Sequence, residues 1–260
     1  MQGVKFAKEK LLSNPITTLS WKGKLQNEYP LPFLDYRLRY NSFMNTISAN
    51  LQAMREQYDQ PPLRRSDLKV CPFEQFSKWL EDAVDAKIYD PNACSLSTVD
   101  SYGRPFARAV LLKGLEQSNF VFYTNYNSRK AAHLHDNPNA CLHFPWFALQ
   151  RQVMVSGEVV KLEEKMAEEY FNSRPSLSKL GAWASHQSKD LDSRETLEKA
   201  FLEAQEKWGE NPPKPPHWGG YCLSADMIEF WQGGPNRLHD RFVYHRVDKV
   251  GDWLIKRLNP

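Results

Sequence analysis

The stretch ACSLSTV-DSYGR-PFARAVLLK, residues 93–113, decides how this chain is read. Two short runs rich in Val, Leu, Thr and Phe flank the turn signal Asp100-Ser-Tyr-Gly103, so both read as strands. Outward from it the same pattern returns in NFVFYT (119–124), ACLHFPW (140–146) and RQVMVSGEVVKL (151–162). It returns again in GGYCLSADMIEFWQG (219–233), DRFVYHRV (240–247) and DWLIKRL (252–258). Helical spacing interrupts it: Phe73, Phe76, Trp79, Leu80, Ala83 and Val84 predict an amphipathic helix over 72–87. Ser128 as cap and Asn137-Pro138 as stop bracket a short helix. Further helices are predicted over 163–173 and 193–208, the second opened by the capping pattern Asp192-x-x-Glu195. Asn211-Pro-Pro-Lys-Pro-Pro216 reads as an extended connector. Many strands with helices inserted between them imply an α+β barrel with peripheral helices, not an alternating parallel sheet. Residues 1–45, broken by Pro15, Pro30 and Pro32, read as an irregular arm, and Ile47–Tyr58 as helical up to Pro61-Pro62. The organisation expected is therefore a partly disordered extension over 1–50 and one domain over 51–260.

Composition sets the outer bounds. The 260 residues include 14 Phe, 11 Tyr and 8 Trp, which excludes a solvated coil. Lys+Arg number 34 against 31 Asp+Glu, and a net charge of +3 does not mark a nucleic-acid or membrane partner. No apolar run reaches the length of about 18 residues that a membrane helix needs. The N-terminus MQGVKFAKEKLLSNPITTLSW lacks a continuous apolar core and a small-residue cleavage site, so no secretory signal is expected. Cys71, Cys94, Cys141 and Cys222 are far apart, which argues against zinc and against a disulfide framework and fits a reducing, cytoplasmic compartment.

Four basic constellations are candidates for chemistry. In Arg237-Leu-His-Asp-Arg241 an extended backbone would put Arg237, His239 and Arg241 on one face. That face either meets an anionic ring or phosphate or is a solvated edge; Phe230-Trp231 and Gly233-Gly234 just upstream tilt it towards a flat ligand. Arg108 and Lys113 end an apolar strand core and, five apart, point to opposite faces of a regular strand, serving two anions or leaving one in solvent. Ser128-Arg129-Lys130 opens a helix, where basic groups oppose the dipole unless an anion joins them; simple exposure is the alternative. Tyr170 and Arg174, four apart before Pro175, converge with Ser178 on a phosphate, or Arg174 satisfies the last helix carbonyls. His133 and His135, two apart on a helix, read as surface residues.

Together these segments resemble the pyridoxine (pyridoxamine) 5′-phosphate oxidase family. The resemblance is carried by MREQY (54–58), LRRSD (63–67), ARAVLLKG (107–114), FYTNYNSRK (122–130), RQVMVSGEV (151–159), EYFNSRPSLSKLGAWASHQS (169–188), HWGGY (217–221), EFWQGGPNRLHDRF (229–242) and the terminal RLNP. It implies an FMN-binding split β-barrel that forms a homodimer with FMN at the subunit interface. By resemblance, Arg108, Ala109, Val110, Leu111, Tyr123, Thr124, Arg129, Lys130 and Gln152 line the FMN site, with Gln187, Ser188, Trp231 and Arg241. Lys113, Tyr170, Arg174 and Ser178 hold the substrate phosphate. Arg237 and His239 are the catalytic pair and, with Leu238, contact the pyridine ring. Arg55 and Tyr58 belong to a segment that closes over the substrate. The implied reaction oxidises pyridoxine 5′-phosphate or pyridoxamine 5′-phosphate to pyridoxal 5′-phosphate, with O2 as acceptor and H2O2 as by-product. A flavin reductase or flavin carrier on the same barrel would keep the FMN residues but need neither Arg174 nor the Arg237/His239 pair. A nucleic-acid-binding barrel using Arg64 and Arg65 fits the near-neutral charge poorly.

Overall fold

A computed structural model describes residues 31–116, 118–246 and 251–260. The expected disorder of residues 1–30 lies outside the described residues. The chain divides between Glu56 and Gln57 into two compact units. In the first, helix α1 spans Leu31–Ala53, which overturns the irregular reading of 31–45. Pro32 does not break this helix because it sits in the first turn, where its missing N–H has no partner to lose. The helix stops at Ala53, so only 47–53 of the predicted 47–58 helix exists. No helix among the described residues is long and apolar enough to cross a membrane.

The second unit is a barrel. Its elements are α2 (Pro72–Asp85), β1 (Ala93–Val99), β2 (Pro105–Glu116), β3 (Asn119–Asn125), α3 (Arg129–Asp136), β4 (Asn139–Trp146), β5 (Arg151–Lys161), α4 (Glu164–Ser173), α5 (Ser176–Ala184), α6 (Arg194–Trp208), β6 (Trp218–Gln232), β7 (Asp240–Arg246) and β8 (Trp253–Leu258). The strands run in the order β3-β2-β1-β4-β5-β6-β7-β8, and a further β3–β6 pairing closes the first six into a barrel. Strand β6 makes this possible by changing partners. Its residues 218–224 pair with β3 and 227–232 with β7, while β5 runs beside it from 221 to 232. The switch coincides with a bulge between Ser156 and Gly157. Gly157 is required there, since a Cβ would lie 1.9 Å from the Ser224 carbonyl oxygen.

Alternation along the strands fills the barrel with Leu96, Phe120, Phe122, Leu142, Phe144 and Val155, all buried. Helix α2 closes one end through Phe76 and Trp79, and Phe76 meets Phe120 and Phe144 edge-on at 5.0 and 4.9 Å. Burying each such ring contributes about 1.5–3 kcal/mol. Val84, counted in the apolar stripe of α2, is instead exposed. Helix α6 is capped by Ser193, whose Oγ accepts from the Thr196 N–H at 3.2 Å, and not by Asp192. Helix α5 has no counterpart in the sequence reading. The segment after Gln57 runs against the outer end of β6 and β7. Leu63 N–H donates to Asp240 Oδ2 (2.8 Å) and Gln232 Nε2 to the Pro61 carbonyl (2.8 Å), which brings Tyr58 beside Trp231.

Candidate active site

Strand β2 pairs with β1 from Pro105 onward, yet joins β3 only from Leu112. Residues 105–111 therefore present one strand edge outside the β3 ladder, and residues 123–125 of β3 diverge from them. A cavity of about 850 Å³ opens in this cleft, roofed by α4, α5 and the following loop. Arg108, Ala109, Val110, Leu111, Tyr123, Thr124, Lys130, Gln187 and Ser188 line it, as do Lys113, Tyr170, Arg174 and Ser178. Arg108 and Lys113 thus line one cavity although burial still alternates between them, because the cavity wraps the free strand edge and takes residues of both faces. A register shift between Leu112 and Gly114 leaves Lys113 as the extra residue of a bulge.

The cations form two groups. At one end Arg108 donates through Nη1 to the Leu96 carbonyl (2.9 Å) and to Thr98 Oγ1 (2.7 Å). Lys130 Nζ donates to Gln187 Oε1 (2.7 Å), Thr124 Oγ1 (3.0 Å) and Ser128 Oγ (3.3 Å). Ser128 is the residue before α3, so the amino end of that helix points at the same corner. Burial, then the neighbouring Arg108, lower the Lys130 ammonium to about 8. Arg129 is exposed, its guanidinium 5.8 Å from the Phe106 ring centre, and its charge adds to the burial that lowers Arg108. His133 is not a surface residue: it is buried, with Nδ1 3.0 Å from Thr98 Oγ1.

At the other end Arg174 caps α4 in an extended conformation, so that it and Tyr170 both reach the cavity. Its guanidinium stacks 4.8 Å from the Trp218 ring centre. Tyr123 lies parallel to both Tyr170 (4.0 Å) and Trp218 (5.2 Å), forming an aromatic wall. Arg174 Nη1 is buried without a hydrogen-bond partner, so it does not serve the helix carbonyls. Burial holds this guanidinium below the usual arginine range. Among the described residues, no Asp or Glu lines the cavity. Buried cations without counter-charge are costly, and an anionic ligand is what offsets that cost.

A second patch on β5, β6 and β7 holds the remaining candidates. Gln152, Trp231 and Arg241 line a hollow of about 150 Å³ with His143 and Glu229. Arg241 donates from Nε and Nη2 to the two Glu229 carboxylate oxygens at 2.7 and 3.1 Å. Asp240 pairs with Arg257 instead of a neighbouring arginine. Beside this patch His239 packs on Trp231 (4.7 Å) and Tyr58 (5.3 Å). The 237–241 stretch is not extended throughout: Asn236 and Arg237 are left-handed (φ 56 and 61), in a 3-10 turn that leaves Arg237 and Leu238 exposed. The Gly234 N–H donates to His239 Nδ1 at 3.2 Å, while burial and then Arg237 push this imidazole below its usual range. An Nδ1 that accepts this bond carries no hydrogen, which leaves the ring proton on Nε2. This patch and the large cavity share no lining residue within one chain. Arg55 belongs to the first unit. Sequence reasoning does not find Trp218, Gly181 and Ala182 as lining residues, since nothing in HWGGY (217–221) marks its Trp as a wall.

Comparison with known proteins follows the same division. Residues 80–208 match the model of the pyridoxamine 5′-phosphate oxidase family, and 218–260 match the pyridoxine 5′-phosphate oxidase C-terminal dimerisation region. A pyridoxine/pyridoxamine 5′-phosphate oxidase of Paraburkholderia phytofirmans is 50% identical over 211 residues, covering 81% of this chain and 99% of that protein. That of Paraburkholderia phymatum is 49% identical over 212 residues, covering 82% and 100%. Among solved structures, PhzG from Burkholderia lata in complex with tetrahydrophenazine-1-carboxylic acid superposes with a TM-score of 0.73 at 31% identity, over 79% of this chain and all (100%) of that one. An FMN-binding protein of Nostoc punctiforme (TM-score 0.60, 18% identity, 74% and 100% covered) shares the fold. With both family models matched in order and half of the aligned residues identical to full-length relatives, the chain belongs to the pyridoxine/pyridoxamine 5′-phosphate oxidase family.

Proposed function

We propose that the chain oxidises pyridoxine 5′-phosphate or pyridoxamine 5′-phosphate to pyridoxal 5′-phosphate, with FMN as cofactor and O2 as electron acceptor, releasing H2O2. The observation that carries this reading is one cavity with two separate groups of unneutralised cations, one of them ending in the unpartnered Arg174 Nη1. Cofactor and substrate each bring one phosphate. Arg108, Lys130 and Gln187, with Arg129 at the start of α3, would hold that of FMN. The strand edge at Ala109–Leu111 would face its ring, beside Tyr123, Thr124 and Ser188. Lys113, Tyr170, Arg174 and Ser178 would take the substrate phosphate.

When bound, FMN supplies a two-electron acceptor for the substrate's 4′ carbon. The protein's part is to fix the substrate against it. Arg237 would orient the pyridine ring and offset developing negative charge. His239, with Nδ1 committed to Gly234, would offer Nε2–H to the 4′ substituent. Tyr58 packs on His239 and would keep water from it, with Leu238 beside it. The chain would act as a homodimer, Gln152, Trp231 and Arg241 of one copy closing over flavin held by the other. The match of 218–260 to a dimerisation region supports this, since that region carries Trp231 and Arg241.

The likeness to PhzG, solved with tetrahydrophenazine-1-carboxylic acid, favours a second reading, in which the cavity takes a carboxylated phenazine-type ring. Absorption spectra separate the two. The purified protein is expected to be yellow and to bleach when pyridoxine 5′-phosphate is added without oxygen. Admitting air is expected to restore the colour and release peroxide. A yellow protein that this compound fails to bleach would sink the proposal and leave the flavin carrier, the flavin reductase or the PhzG-like reaction.

A further inference from the structure

Behind Arg108 lie two side chains that the proposed reaction does not use directly, Thr98 and His133. Arg108 faces Leu96 across the β1–β2 ladder and spends both Nη1 hydrogens on β1, one on the Leu96 carbonyl and one on Thr98 Oγ1. Its guanidinium plane is thereby fixed, with the other nitrogens left for the cavity. Thr98 is 1% exposed and has one hydrogen to place once it has accepted from Arg108. The atom within reach is His133 Nδ1, 3.0 Å away on α3, in a residue that is 7% exposed. Thr98 can donate there only while Nδ1 is unprotonated.

We propose that His133 is a positioning residue for the cofactor phosphate: through the Thr98 hydroxyl it sets the aim of Arg108, and protonation of His133 withdraws that support. The inference rests on the reading that Arg108 holds the phosphate of FMN. With a proton on Nδ1, His133 becomes a donor. Thr98 Oγ1 would then face two cationic donors, and its own hydrogen would lose its acceptor. Arg108 would have to turn away, at the expense of its hold on the ligand. The surroundings oppose that proton. Burial, then Arg108 from β2, lower the imidazole; Asp100 from the β1–β2 turn pulls the other way, followed by Arg129 of α3, which lowers it, and Asp136 of α3, which raises it, the net direction being down. The Phe106 ring covers His133 at 4.9 Å and offers no acceptor.

The test titrates the full-length chain, freed of flavin, with FMN and with riboflavin, which lacks the phosphate, following flavin fluorescence. Thr98→Val and His133→Ala are expected to weaken FMN about tenfold, the lower end for one hydrogen bond to a charged group, and to leave riboflavin unchanged. Thr98→Ser, and His133→Asn, whose amide oxygen takes the place of Nδ1, are expected to bind FMN like the wild type. Between about pH 7 and about pH 5 the wild type is expected to lose FMN affinity more steeply than His133→Asn, because phosphate protonation is common to both. Equal slopes, Thr98→Val at wild-type FMN affinity, or equal losses for both flavins would overturn the inference. If His133→Ala does not fold, the nearly isosteric Thr98→Val decides. A wild type that binds riboflavin as tightly as FMN would instead remove the phosphate reading itself, and this inference with it.

Discussion

Lys130 offers the most direct check on the charge argument. In the ligand-free cavity its ammonium is lowered from 10.5 to about 8, by burial first and by Arg108 second. At about 1.4 kcal/mol per pH unit, that gap is about 3 kcal/mol spent on keeping the charge where, among the described residues, no carboxylate lines the cavity. A lowered lysine means that the unfolded chain binds more protons than the folded one between pH 8 and 10.5. The ligand-free fold therefore gains stability as pH rises through that window. A bound phosphate dianion reverses the balance by restoring the proton. Its own second proton, with a pKa of about 6, is already gone at neutral pH. The FMN dissociation constant is thus expected to rise about tenfold between about pH 7 and about pH 9, with about one proton taken up per FMN at the upper end. Calorimetry in two buffers of different ionisation heat measures that uptake. Lys130→Met is expected to bind FMN more weakly at neutral pH and to lose the pH slope. A wild-type affinity that stays flat across this range, or a Lys130→Met variant with the same slope, would refute the reasoning.

Other substitutions separate the parts of the site. Arg174→Met removes a buried guanidinium nitrogen that has no partner, so ligand-free stability should hold or rise while KM for the phosphorylated substrate rises about 10- to 100-fold, as for a hydrogen bond to a charged group; steady-state kinetics and a melting curve read both. Arg237→Ala should cut turnover severely yet leave the flavin spectrum intact, and wild-type kinetics would remove Arg237 from the mechanism. Gly157→Ala drives a Cβ into the Ser224 backbone at the point where β6 changes partners, and should cost about 3 kcal/mol or more in a denaturant titration.

Most of the barrel is legible because each strand carries a dense β-branched or aromatic run between turn residues, and burial follows the alternation. What escaped has specific causes. Helix α5, SLSKLGAWA, carries Gly181 in its interior and two serines in its first turn, so its propensity is weak; it is secured by burying Leu180 and Ala184. That Lys113 joins Arg108 in one cavity depends on where β2 leaves β3, and the one-residue bulge there leaves no mark in the sequence. The depth of His133 depends on which face of α3 lies on β1, and eight residues are too few for a clear periodic pattern. The 237–241 stretch departs from an extended form because two consecutive non-glycine residues adopt φ > 0, which no local rule anticipates for Arg237. Lys130 is nevertheless legible, because a basic residue in the first turn of a helix opposes the dipole unless an anion meets it. Arg174 is not legible in this way: a cation at the end of α4 suits the dipole, and only its place in the cavity with Nη1 unpartnered sets it apart.

The separation of the two patches carries the last step. Arg241 stands with its charge already answered by Glu229, whereas Arg108, Lys130 and Arg174 line a cavity that has no carboxylate among the described residues. On the proposed reading, anion binding would be concentrated in the cavity, and the Trp231 patch would contribute ring contact and hydrogen bonds more than charge. If one copy's patch covers flavin held by the other, then by linkage FMN must tighten the dimer by the same factor by which dimerisation tightens FMN. Sedimentation of dilute protein should show a dimer dissociation constant that falls when FMN is added, and Trp231→Ala should shrink that fall without emptying the cavity. A monomer that binds FMN with full affinity would break the link, because the cavity alone would then suffice and the patch would have no part in holding the flavin.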